Sequence, residues 1–107
     1  MGVYGTYKGA KELQAIGHIE RAPKLLCAQQ ASCAPMARAY ADGASAIRPE
    51  HVVARPQGIA EAILRGDPTR VYPYVKGMDV ESAGDFVAVT EDEIREARRL
   101  TEELEGI

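Results

Sequence analysis

Tryptophan is absent from this 107-residue sequence and phenylalanine occurs once, so any core must be built from aliphatic side chains, alanine and the five tyrosines. Long apolar runs are missing too. Nothing approaches the roughly 20 apolar residues that a bilayer-spanning helix needs, and no charged-then-apolar leader opens the chain. No membrane partner is therefore expected, and a cytoplasmic address is. Positive charge is in short supply: 13 Lys and Arg stand against 16 Asp and Glu, a net charge of −3. Nucleic-acid binders concentrate basic side chains on one face, so no nucleic-acid partner is expected either.

Metal-ligating and nucleophilic constellations are also lacking. Cys27 and Cys33 do not have the C-x-x-C spacing of a redox or zinc pair, and they read as two buried or half-buried thiols of a reducing compartment. His18 and His51 are single imidazoles with no Ser, Cys or carboxylate at a spacing that suggests a triad. No metal site and no catalytic residue is expected within this chain.

What is present is ordinary globular chemistry, 46% apolar and 27% charged residues, in a length that suits one small domain. Gly2, Gly5 and Gly9 with Tyr4 and Tyr7 make a glycine-rich start, able to approach a ligand closely. Ala10, Leu13 and Ile16 then predict a helix over 7–16, stopped by Gly17. Leu25-Leu26-Cys27-Ala28 suits a buried parallel strand, although a buried helical turn has the same pattern. Ser32 is placed to cap a second helix with Pro35 in its first turn, ended by Asp42-Gly43. Residues 44–57 read as a short edge strand or a surface loop. Helices are predicted over 57–65 and 73–82, and Ala83-Gly84-Asp85 forms a turn. Phe86-Val87-Ala88-Val89 is a second strand. Thr90-x-x-Glu93 is a capping box that opens a last helix, with Ile94, Ala97, Leu100 and Leu104 at helical spacing and Gly106 to close it.

Helices alternating with apolar strands imply parallel pairing. The expected fold is a single partial α/β domain over 1–107: two parallel strands flanked by four to five helices. So meagre a sheet reads as a fragment of a larger three-layer α/β domain.

Taken together, Tyr7-Lys8-Gly9-Ala10-Lys11-Glu12-Leu13, Pro23-Lys24-Leu25-Leu26-Cys27-Ala28-Gln29, Ala34-Pro35, Gly58-Ile59-Ala60-Glu61-Ala62-Ile63, Gly66-Asp67-Pro68 and Phe86 through Ile94 resemble threonine synthase. That family comprises pyridoxal-phosphate enzymes of the tryptophan-synthase-β fold type, and its relative cysteate synthase fits comparably well. The resemblance covers the middle of the family's large domain. It implies pyridoxal phosphate as cofactor of a completed assembly. It also implies a phosphorylated amino acid as substrate, O-phosphohomoserine or O-phosphoserine, with phosphate eliminated and water or sulfite added.

The resemblance also marks what is missing. The family's cofactor-holding lysine has no counterpart here. Lys8, Lys11, Lys24 and Lys76 are amines by type only, and each reads as a solvated cation. Gly2 and Gly5 correspond at most to the trailing edge of the phosphate loop and are the cofactor-binding candidates. Gln29, at the end of the first strand, and Gln57, Gly58 and Ile59, in the segment resembling the family's substrate mouth, are the substrate-binding candidates. The implied entity is a split subunit or trimmed domain that joins a complementary chain carrying the lysine-bearing N-terminal domain, or that associates with itself. The rival expectation is a non-catalytic α/β interaction module of the same ancestry.

Overall fold

The computed structural model describes residues 2–107. Its regular elements are helix α1 (Gly2–Ala15), strand β1 (Leu26–Gln30), helix α2 (Pro35–Ala41), helix α3 (Tyr72–Glu81), strand β2 (Asp85–Val89) and helix α4 (Glu91–Glu105). The strands pair in parallel, with Leu26 opposite Asp85 and Gln30 opposite Val89. This is the expected α/β arrangement of two parallel strands and four α-helices.

Phe86 anchors the core. It sits beside Cys27 in the parallel register, and its ring lies 5.0 Å from that of Tyr40 and 6.1 Å from that of Tyr72. Tyr7, Leu25, Ala34, Ala37, Ala39, Ala44 and Val75 complete the buried cluster, so alanine and tyrosine surround the single phenylalanine in a core without tryptophan. The Tyr72 hydroxyl is buried and donates to the Ala44 carbonyl at 2.8 Å, which satisfies the polar end of the largest core side chain. Cys27 and Cys33 are both buried free thiols.

Among the described residues the sheet is not covered on both sides. Leu26, next to buried Cys27, is 68% exposed, and Ala28 is exposed as well. Parallel strands ordinarily have both faces packed. Helix α4 is similarly bare. Its capping box forms as expected, Thr90 Oγ1 accepting from the Glu93 amide and Glu93 accepting from the Thr90 amide, and Gly106 closes the helix at φ +69°. None of its residues is buried, and Leu104 is 75% exposed.

Three local expectations require correction. Helix α1 starts at Gly2 rather than Tyr7, because Val3, Tyr7 and Ala10 all pack inward, and that packing offsets the roughly 1 kcal/mol each interior glycine costs a helix. The helix predicted over 57–65 is only a 3₁₀ turn at Glu61–Ile63. Its apolar residues Ile59 and Ile63 stay exposed, so no burial supports a longer helix, and Gly58 takes φ +157°, outside helical space. Ser32 does not cap α2. It lies in a 3₁₀ turn (Ala31–Cys33), and the α2 cap position is Ala34. Of the two readings for 44–57, the loop is the one formed, with a 3₁₀ turn at Pro49–His51.

Candidate functional site

The two strands end together at Gln30 and Val89. In parallel α/β sheets, ligands gather beyond this carboxyl edge. Gln29 does structural work there: its Oε1 accepts from the amides of Met36 and Ala37 at 2.9 and 3.0 Å. It thereby serves the orphan donors of α2 in place of Ser32. Gln30 is buried, and its amide is fully engaged. Its Oε1 accepts from the Ala60 amide at 3.1 Å, and its Nε2 donates to Ser32 Oγ at 2.7 Å and to Glu91 Oε1 at 3.0 Å. Ser32 Oγ donates in turn to the Gln57 carbonyl at 2.6 Å.

The candidate residues fall into two places. A cavity of about 570 Å³ is lined by Gly2 and Val3 at the start of α1, by Leu26 to Gln29 along β1, and by Met36, Arg65, Asp67, Pro68, Val71 and Val75. Gly2 and Gln29 are thus brought together, and Gly5 does not line this cavity. Gln57 and Gly58 instead line a separate depression of about 470 Å³ with Pro56, Glu61 and Leu64. Ile59 lines neither and is 40% exposed. At the cavity mouth Asp67 accepts from both the amide and the hydroxyl of Thr69, which holds its carboxyl below the usual carboxylate range.

Two buried polar residues escaped the sequence reading. His51 does have a carboxylate partner: Asp42 Oδ2 lies 2.9 Å from its Nε2, while its Nδ1 accepts the Arg48 amide at 3.0 Å. Both ring nitrogens are thus engaged, and among the described residues no hydroxyl or thiol is bonded to the ring, so the pair orders the 42–51 loop rather than activating a nucleophile. Asp79 is fully buried, and neither of its oxygens has a hydrogen-bond partner among the described residues. Burial pushes its carboxyl above the usual range, the Tyr40 hydroxyl beside it offsets part of that rise without making a hydrogen bond, and Asp85 adds to it. Tyr72, Val75 and Asp79 fall on one helical stripe, so an acid on an apolar face was a readable signal. Among the described residues no group of three or more His, Cys, Asp or Glu could hold a metal ion, and no helix is long and apolar enough to cross a membrane.

No protein-family model matches the chain. Individual proteins do. Over 105 residues it is 34% identical to threonine synthase of Methanosarcina acetivorans and 35% identical to that of Methanocaldococcus jannaschii, and over 101 residues it is 33% identical to that of Mycobacterium leprae. These matches take in 98%, 98% and 94% of this chain. The chain is threonine-synthase-like along nearly its whole length. It spans about a quarter of the length of these relatives.

A threonine-synthase-like family implies pyridoxal phosphate, and the residues present do not make a complete site for it. Gly2 offers the first amides of α1, which no helix satisfies internally, at the cavity of about 570 Å³. Among the described residues a Cβ at Gly2 or Gly5 would meet nothing within 4 Å, so those residues build no wall opposite this helix start that would close a phosphate cradle. No lysine lines the cavity. Lys8 pairs with Glu12 at 3.2 Å, Lys11 with Glu81 at 3.0 Å, and Lys76 donates to the Ala44 carbonyl at 2.7 Å.

Proposed function

We propose that this chain is one part of a pyridoxal-phosphate-dependent lyase of threonine-synthase type, whose cofactor lysine is supplied by a complementary polypeptide segment. The completed enzyme eliminates phosphate from a phosphorylated amino acid and adds water. O-phosphohomoserine is the substrate of the threonine-synthase reading. The cysteate-synthase reading takes O-phosphoserine and sulfite. The cofactor, when bound, supplies the electron sink for this chemistry. This chain supplies the amides at the start of α1 for an anion, the β1 carboxyl edge, and the Gln57–Ile59 segment at the substrate mouth. Alone it turns over nothing.

The observation that carries this reading is the end-to-end match at 33–35% identity to three threonine synthases, each matched over a quarter of its length. The bare sheet face at Leu26 and the unburied α4 support a complement that packs there. The test is a chimera in which this chain replaces the matching segment of the Methanosarcina acetivorans threonine synthase. It should bind the cofactor and release phosphate from O-phosphohomoserine, while the isolated chain does neither. A chimera that folds and binds cofactor yet releases phosphate from neither phosphorylated amino acid would overturn the proposal and favour a non-catalytic module.

A further inference from the structure

We infer that Gln30 is a positioning residue: its buried side-chain amide fixes the Gln57–Ala60 segment at the carboxyl edge of the sheet and ties that segment to the start of α4. That the segment faces substrate rests on the proposed function. The clamp itself rests on geometry alone.

The segment has little else to hold it. Gln57 and Ile59 are exposed, and residues 57–60 belong to no helix or strand. An unanchored loop of this kind would be expected to sample many conformations. Gln30, only 2% exposed, engages two of its four positions directly and a third through Ser32. The Ala60 amide donates to Gln30 Oε1 at 3.1 Å. The Gln57 carbonyl accepts from Ser32 Oγ, whose own acceptor side is filled by Gln30 Nε2. Gly58 is the second direct position. A Cβ there would overlap the nitrogen, carbon and oxygen of the Gln30 amide, and its φ of +157° already disfavours any side chain. The remaining Gln30 hydrogen reaches Glu91 Oε1 at 3.0 Å, in the first turn of α4.

The choice of residue fits this role. A buried amide presents one acceptor and two donors in one plane, and here all three are used. Alanine would leave the Ala60 amide, Ser32 and the Glu91 carboxylate without their shared partner. A carboxylate at position 30 would face Glu91 and repel it. Exchanging the two residue types, Gln30→Glu with Glu91→Gln, restores a donor opposite an acceptor at the α4 contact only, since Ser32 Oγ, whose hydrogen goes to the Gln57 carbonyl, then meets a second acceptor.

The test is amide hydrogen exchange on the full chain, read at Ala60, in the parent, Q30A, Q30E, Q30E/E91Q and Q29A. Q29A loses the α2 cap, whose bonds come from Met36 and Ala37 and not from residues 57–60, so it controls for general loosening. Q30A should speed Ala60 exchange about tenfold or more and Q29A less than about twofold, while Q30E, which keeps an acceptor for the Ala60 amide but faces Glu91, should fall between them and be slowed by adding E91Q. Ala60 exchange unchanged in Q30A, or equally fast in Q29A, would overturn the clamp, and Q30E no slower after adding E91Q would remove Glu91 from it. In the phosphate-releasing chimera, Q30A should raise KM for the phosphorylated substrate more than it lowers kcat. An unchanged KM beside accelerated exchange would sever the clamp from substrate binding. A chimera with no lyase activity would sink the proposed function and leave the exchange result to decide the role of Gln30.

Discussion

Replacing Asp79 by asparagine removes a buried ionisable carboxyl without changing the size of the side chain. Asp79 completes the buried stripe of α3 with Tyr72 and Val75, and both its oxygens lack partners. It also sits tightly: a Cβ at Gly84 would press on its Oδ1, so a larger substitute would not fit. The groups facing it are the Tyr40 hydroxyl, the Cys27 thiol and Asp85, and burial pushes Tyr40 and Cys27 up, with the Asp79 charge adding to both. None of these is a cation. A raised carboxyl value means that the folded chain holds the Asp79 proton more tightly than the unfolded chain does. The stability linked to this group is therefore complete below the ordinary carboxyl value of about 3.9 and is lost as pH rises through the folded value. Burying a polar group without compensation costs about 1–3 kcal/mol in proteins, and a charge costs more. D79N should accordingly be more stable than the parent at pH 7 by about 1–2 kcal/mol, or roughly 4–8 °C in Tm per kcal/mol. The gap should close as pH falls toward 4. Asp67, Glu81, Glu93 and Glu96, all held low by hydrogen bonds or ion pairs, lose their contribution in the same acidic range, but equally in both proteins. Thermal unfolding followed by circular dichroism from pH 4 to 8 measures the gap. No gap at pH 7, or one that does not vary with pH, would refute the reasoning.

Three further outcomes follow from the packing. Thr90→Ala removes half of the α4 capping box and should cost that helix about 1 kcal/mol; because α4 buries no residue, the loss should appear as reduced helicity with little change in the unfolding midpoint. Phe86→Ala empties the centre of the core between Tyr40 and Tyr72, a loss of about 3–5 kcal/mol that should abolish a cooperative thermal transition in so small a domain. Leu100→Glu, on the exposed α4 stripe, should leave the isolated chain within about 0.5 kcal/mol of the parent, yet reduce cofactor loading of the chimera; an equal loss of stability in the isolated chain would contradict the reading of that face.

The elements legible in the sequence were those specified locally. Thr90 and Glu93 cap α4 from three residues apart, Gly106 adopts the left-handed conformation, and the apolar runs around Cys27 and Phe86 form the two strands. The misreadings arose where distant partners decide. The glycines at the start disfavour a helix, but Tyr7 and Ala10 find a surface to bury against. Ile59 and Ile63 had helical spacing and found no surface, and Gly58 had to yield room to Gln30. The candidate site was legible only in part. Gln29 was visible at the end of a strand, but the bonds from its neighbour Gln30 to Ala60 and Glu91 span 30 and 61 positions and leave no local signature. The Asp42–His51 pair closes a loop with no motif spacing. Asp79, by contrast, was readable from its place on an apolar stripe.

Borohydride reduction of the chimera in the presence of pyridoxal phosphate, followed by peptide mapping, locates the amine that holds the cofactor. The account requires the label on a lysine contributed by the Methanosarcina acetivorans part and none, at stoichiometric level, on Lys8, Lys11, Lys24 or Lys76. Stoichiometric labelling of any one of these four, in the chimera or in the isolated chain, would contradict it.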